Sequence, residues 1–272
     1  MPTADFLDIA PNVRLHVRDW GAGRPIVFLH GWPLSHAMWE YQFNELPKRG
    51  YRCVGITLRG FGRSSQPWGD HDYDMHAADV NKVLAKLDLR AATLVGFSMG
   101  GAIALRYAAG HNGDGRVTKL VLAGAAAPSF TQRSGFPHGL PPDDVDRFLA
   151  ACRADRPKML EDFGKIFYRD ESSVSRKFAD WMHNIGLEAS PHATAAGLIA
   201  LRDTDLRPDM AQVNLATAVF HAAADKVCPF ALGEALAGGI AGAKLVRFEQ
   251  GGHAFFYEER DRFNAELANF VG

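Results

Sequence analysis

Cysteine is scarce and unpatterned in this chain. Cys53, Cys152 and Cys228 are an odd number, with no C-x-x-C pair. That argues against a disulfide framework or a zinc knuckle and suits a reducing compartment, so a cytoplasmic location is expected. Neither sign of charge is in excess, with 30 basic and 31 acidic residues and a formal net charge of −1. Such a balance gives no electrostatic footprint for nucleic acid or an anionic membrane, and neither is expected as a partner. No run approaches the roughly 18 apolar residues of a membrane span. The opening residues lack the basic-then-apolar order of a secretory signal, and none is expected there. Internal repeats and low-complexity segments are absent as well.

What the chain does have is ordinary core material: 272 residues, 47% hydrophobic and 22% charged. That length suits one large domain or a domain with an inserted lobe. "FLDIA" and "VRLHVRD", on either side of Pro11-Asn12, predict an opening antiparallel hairpin. "PIVFLH", "YRCVGITL", "ATLVGF" and "VTKLVLAG" are continuous apolar runs, the mark of strands buried on both faces. Between them, "AMWEYQFNELPKRG", "DMHAADVNKVLAKLDL" and "MGGAIALRYAAG" carry helical spacing. The alternation predicts an α/β fold: a mostly parallel sheet with an antiparallel first hairpin and helices on both faces. After Pro128 the strands stop. Amphipathic helices such as "PDDVDRFLAACRADR" and "SSVSRKFADWMHNIGLE" follow until strands resume at "ATAVFHA" and "AKLVRFEQ". We therefore expect a core made of residues 1–128 and 213–272, with 129–212 as an inserted helical lid.

Gly96-Phe97-Ser98-Met99-Gly100 is a G-x-S-x-G, a weak signal by itself. Its position is more telling, because Ser98 stands where "ATLVGF" ends and "MGGAIALRYAAG" begins. A sharp strand–turn–helix there lifts a serine hydroxyl above the sheet and aims helix N–H groups at developing negative charge. The plainer reading is a glycine-rich packing turn whose serine only caps the helix. A nucleophilic serine needs a base, and the base needs an orienting acid, which for this turn follow in the order Ser, Asp, His. Asp225 in "VFHAAADKVCP" and His253 in "FEQGGHAFF" each lie just beyond a predicted strand. Loops after the carboxyl ends of parallel strands share one edge of the sheet, where Ser98 also stands. Asp203, Asp205 and Asp209 precede their strand. His16, His183 and His192 lie in the hairpin or the helical block, and His221 reads as a strand-end residue. The N–H groups of Met99, which follows the nucleophile, and of Trp32, which follows the strand ending at His30-Gly31, are the candidate oxyanion donors.

Taken together, "HGWPLS", "MWEYQ", "RGFGRSSQPW", "DYD", "LVGFSMGG", "TDLRPDM" and the Asp225 and His253 loops resemble the α/β-hydrolase superfamily. The resemblance is greatest to its cofactor-free haloperoxidase, perhydrolase and aryl esterase branch. It implies Ser98, Asp225 and His253 as a triad and the amides of Trp32 and Met99 as the oxyanion hole. It implies hydrolysis of small carboxylic esters through an acyl-serine, and peracid formation from a carboxylic acid and hydrogen peroxide, with no cofactor and no metal. The chain departs from that pattern at Thr57, where relatives carry aspartate, and in "HAAAD", where they carry a glycine-containing turn. A lactamase or amidase, a carbon–carbon bond hydrolase, or a ligand-binding receptor would use the same triad. A dehalogenase or epoxide hydrolase would need aspartate at position 98.

For the pocket, Val227 and Phe230, close after the acid, are the candidate substrate-binding residues. The helical block, with Phe130, Phe136, Phe148, Phe163, Phe167, Phe178 and Trp181, is expected to form one wall without any one of these singled out. Pro33 is a further candidate. It restricts the Trp32 backbone, whose carbonyl would accept a hydrogen bond from attacking peroxide. Homo-oligomerisation is left open by the sequence.

Overall fold

The computed structural model describes residues 5–69 and 71–272, so the first four residues of the expected core lie outside the described residues. Eight strands form one sheet in the order β1-β2-β4-β3-β5-β6-β7-β8. β1 (Phe6–Ala10) and β2 (Val13–Gly21) make the antiparallel hairpin, and β2 pairs antiparallel with β4 (Tyr51–Ile56). β3 (Arg24–Leu29), β5 (Ala92–Phe97), β6 (Val117–Ala123), β7 (Ala216–Ala222) and β8 (Lys244–Phe248) continue it in parallel. The apolar runs are continuous because successive side chains enter different cores. Val27 and Leu29 of β3 join one cluster with Leu94, Leu120 and Leu122, while Ile26 and Phe28 join the other with Val95, Phe97 and Val121.

The first cluster is covered by α2 (Tyr73–Lys86), α3 (Met99–Gly110) and α8 (Phe230–Gly239). α2 starts because Asp72 caps it, its carboxylate accepting the Met75 N–H at 2.7 Å, and it buries Ala77, Val80, Val83 and Leu84 along one stripe. The second cluster takes Trp39, Phe43, Phe263, Leu267 and Val271, so α10 (Arg260–Val271) lies on the opposite face. The expected single helix over 37–50 is instead three short turns: 3₁₀ at His36–Trp39, α1 (Glu40–Glu45), then 3₁₀ at Leu46–Arg49. Pro47 offers no N–H to continue the ladder, and Gly50 closes the segment at φ 85°.

Between β6 and β7 the chain forms α4 (Pro142–Phe167), α5 (Arg176–Leu187), α6 (Pro191–Asp203) and the single turn α7 (Arg207–Met210). α4 runs well beyond the expected residues and breaks at Asp155 (φ −154°, ψ 86°), two residues before Pro157. The Asp155 carboxylate accepts the Lys158 N–H at 3.1 Å and so caps the second half. Leaving aside short bridges, the described residues 129–212 contain no strand.

Arg59 leaves the end of β4 in the "RGFG" turn and forks onto the buried Asp79 of α2, at 2.5 and 2.7 Å. Removing one partner strands the other charge, typically at a cost of about 3 kcal/mol or more. Asp79→Ala is therefore expected to lower unfolding free energy by about 3 kcal/mol in urea denaturation. A loss below about 1 kcal/mol would mean that solvent reaches this pair.

Candidate active site

Ser98 sits between β5 and α3 with φ 54° and ψ −120°, a backbone region that non-glycine residues rarely occupy. The turn can be this sharp because glycines let strand and helix touch. A Cβ on Gly96 would lie 2.3 Å from the Gly100 carbonyl oxygen, and one on Gly100 would lie 2.4 Å from the His30 carbonyl oxygen. Ser98 is held by its own backbone: its N–H donates to Ala123 O at 3.0 Å, and its carbonyl accepts from Gly101, Ala102 and Ala126. Its side chain makes no capping bond to α3, so the hydroxyl is not spent on ending the helix.

Asp225 and His253 meet as a buried pair. His253 Nδ1 lies 2.7 Å from Asp225 Oδ2, while Asp225 Oδ1 accepts the N–H groups of Val227 and Cys228 at 2.8 and 2.7 Å. A carboxylate accepts only, so Nδ1 carries a proton, and in the neutral ring Nε2 is left bare. Nε2 is buried and has no hydrogen-bond partner. The ring packs on Phe97, the residue before Ser98, at 4.6 Å between centroids. Burial pushes the Cys228 thiol well above its usual range. The three loops thus converge on one rim, at the carboxyl ends of β5, β7 and β8.

The Trp32 amide is oriented from behind. The Gly31–Trp32 peptide is trans, and the Gly31 carbonyl oxygen sits 2.9 Å from His30 Nδ1 and accepts the Leu34 N–H at 2.8 Å. In a trans peptide the N–H points opposite to the carbonyl, so fixing Gly31 O aims the Trp32 N–H away from His30. His30 Nε2 accepts the Leu58 N–H at 3.0 Å, which makes Nδ1–H the donor and the ring neutral. Burial accordingly pushes His30 down to about 4. Met99 is the first residue of α3, so its N–H precedes the helical ladder. Among the described residues, neither amide has a backbone acceptor. Thr57 lies one layer below. Its hydroxyl accepts the His36 N–H at 3.2 Å and lies 2.6 Å from His36 Nδ1, a neutral link where the related pattern carries a carboxylate. Burial holds His36 down to about 2, with His16, Arg18, His30 and Arg63 adding repulsion.

Two cavities adjoin the site. The inner one, about 30 Å³, is bounded by Ser98, Trp32, Val227, Phe130, Phe148 and Phe163, with the α6 residues Leu198 and Leu201. The outer one, about 730 Å³, lies over the second half of α4 and α5, and Phe163 is the one side chain that bounds both. Val227 lines the inner cavity together with Ser98, and Phe230 does not. Its ring stands edge-on to His221 at 5.9 Å, with the Arg247 guanidinium over it at 4.8 Å from the centroid, because α8 begins there and turns it behind the acid loop. Pro33 borders the outer cavity instead of the inner one. The competing acids are engaged elsewhere, Asp203 by Arg202, Asp205 by Arg207 and Asp209 by Arg106. Sequence reasoning passed over His221, whose Nε2 lies 3.8 Å from Asp225 Oδ2. Its position four residues before the acid was the available signal. Among the described residues no helix is long and apolar enough to cross a membrane.

Comparison with known proteins agrees with the resemblance read from the motifs. A family model described as alpha/beta hydrolase fold matches residues 24–260. The chain is 48% identical to the AB hydrolase superfamily protein YisY of Bacillus subtilis (strain 168), with 97% of this chain and 98% of that protein covered. It is 34% identical to a non-heme haloperoxidase of Rhodococcus erythropolis, with 98% of each covered. Among solved structures, an esterase from Exiguobacterium antarcticum superposes with a TM-score of 0.94 at 44% identity, with 98% of each chain covered.

His30 and His36 also set an acid limit on the fold. Both titrate lower when folded than the ordinary 6.5 of an unfolded histidine, so the unfolded chain binds the extra protons. Their contribution is whole above about pH 6.5 and shrinks as pH falls, by about 1.4 kcal/mol per pH unit for each ring that stays neutral. Urea denaturation at pH 7 and pH 5 is expected to show this loss. Equal stability at the two values would overturn the account.

Proposed function

The chain belongs to the alpha/beta hydrolase fold family, and on that premise we propose that it is a serine esterase of small carboxylic esters with a perhydrolase side activity. One observation carries the reading: the buried Asp225–His253 hydrogen bond of 2.7 Å leaves His253 Nε2 bare beside the Ser98 turn. In the proposed cycle His253 Nε2 takes the Ser98 proton as the hydroxyl oxygen attacks the ester carbonyl. Asp225 holds the ring and stabilises the imidazolium. The N–H groups of Trp32 and Met99 receive the oxyanion, each donor being worth about 3 kcal/mol in the transition state. His253 then protonates the leaving alcohol and activates water, which releases the acid, or hydrogen peroxide, which releases a peracid. Three free cysteines suit a cytoplasmic enzyme.

The inner cavity supports a small acyl group. Its 30 Å³ has room for roughly two water-sized groups, and Ser98 lies in its mostly apolar wall. Phe163 closes it toward the outer cavity, edge-on to Trp32 at 5.4 Å and Phe148 at 6.2 Å. Residues 129–212 act in this reading as the lid that shapes the pocket.

Turnover of p-nitrophenyl acetate by wild type and Ser98→Ala tests the central step. The variant is expected to lose about three orders of magnitude or more in kcat, and wild type to form peracetic acid from acetate and hydrogen peroxide. Equal rates in folded wild type and variant would remove the acyl-serine. Opening the partition tests the pocket: Phe163→Ala is expected to raise kcat/KM for hexanoyl over acetyl esters by about tenfold. An unchanged ratio would mean that the two cavities do not share a substrate.

A further inference from the structure

We propose that His221 is a positioning residue for Asp225, a second imidazole that holds the acid-bearing turn in place and shares in solvating its carboxylate. The inference rests on the assignment of Ser98, Asp225 and His253 made above. The turn needs such a hold, because Ala222-Ala223-Ala224 supplies no polar side chain of its own. Asp225 Oδ1 is taken by the N–H groups of Val227 and Cys228, so the carboxylate is only as well placed as residues 227 and 228. What fixes them is His221. Its Nε2 lies 2.8 Å from the Cys228 carbonyl oxygen and 3.8 Å from Asp225 Oδ2. The ring therefore ties the end of β7 to the far side of the turn and closes it into a loop.

The proton on this ring is determined. A carbonyl oxygen only accepts, so Nε2 carries the hydrogen and Nδ1 is bare. Nδ1 is buried without a partner and faces Gly233 of α8, where a Cβ would stand 2.7 Å from it. Burial keeps the ring neutral although Asp225 pulls the other way. The titratable and charged groups around it are Asp225 and Cys228 on the turn, His253 beyond Asp225, and Arg247, its register partner on β8. The Arg247 guanidinium lies over Phe230, whose ring stands edge-on to His221. At Oδ2 the two imidazoles are unequal. His253 Nδ1 forms the 2.7 Å hydrogen bond, while the His221 N–H stands at 3.8 Å and acts by its dipole. Removing that dipole would leave Asp225 a stronger partner for the His253 imidazolium.

The experiment compares His221→Leu, His221→Gln and Gly233→Ala in the full chain. It reads p-nitrophenyl acetate kinetics from pH 5 to 9 and the His253 ring titration by NMR. The leucine variant is expected to lose about tenfold in kcat with little change in KM. Its acid limb should move to higher pH by about half a unit. Glutamine, which can return an N–H to the Cys228 carbonyl, should recover most of the rate. Gly233→Ala, which displaces the ring from the α8 side, should also move the limb. Equal losses in leucine and glutamine variants with an unmoved limb would reduce His221 to packing and overturn the proposal, as would wild-type behaviour in both. If leucine prevents folding, glutamine and Gly233→Ala carry the same two readouts. If wild type itself turns over no ester, the functional reading fails, and the His253 titration still decides this inference.

Discussion

Backbone contact at one turn governs the geometry of this protein. Gly96 and Gly100 let β5 and α3 approach until a single added methyl would overlap a carbonyl, and Ser98 takes up the resulting strain at φ 54°. Because the strand is central in the sheet and the helix covers one face of it, that approach cannot relax by a local shift. The serine side chain is left above the sheet edge with its backbone groups fully engaged, so the rigid part of the turn is everything except the hydroxyl. Loops from β7 and β8 then deliver an acid and a histidine to the same edge.

Around that turn the protein relies on neutral histidines more than on charge. His30 and His221 each use one nitrogen to grip a backbone carbonyl, at Gly31 and at Cys228, and thereby aim a group they do not themselves contain. His36, also neutral, pairs instead with a side chain, the Thr57 hydroxyl. A neutral imidazole can donate on one side and accept on the other, which lets it brace a buried loop without the desolvation cost of an ion. In the candidate site the one carboxylate placed against histidines is Asp225, and every oxygen of it has a donor nearby.

Much of this was legible in order and spacing. The strand–helix alternation follows from continuous apolar runs and amphipathic stripes, and the placement of Ser98, Asp225 and His253 at strand ends follows from the rule that such loops share an edge. Proximity in sequence to Asp225 does not tell which way Phe230 points, because a helix begins at that residue. Residues 37–50 look like one helix in sequence because Trp39, Phe43 and Leu46 keep helical spacing through a chain that Pro47 interrupts. The role of His221 is not legible in sequence because strand periodicity reports burial, not which buried atom finds a partner.

By itself, then, the sequence determined the sheet, its two apolar faces, the sharp serine turn and the order of the groups along the chain. These depend on local periodicity and on where glycine and proline fall, which neighbouring residues carry in full. The tertiary structure alone decided the tautomer of His30, the aim of the Trp32 N–H, the partition of the pocket by Phe163 and the grip of His221 on the acid turn. Each of these is a contact between segments far apart in sequence or across a loop, where an ångström of packing separates a hydrogen bond from none.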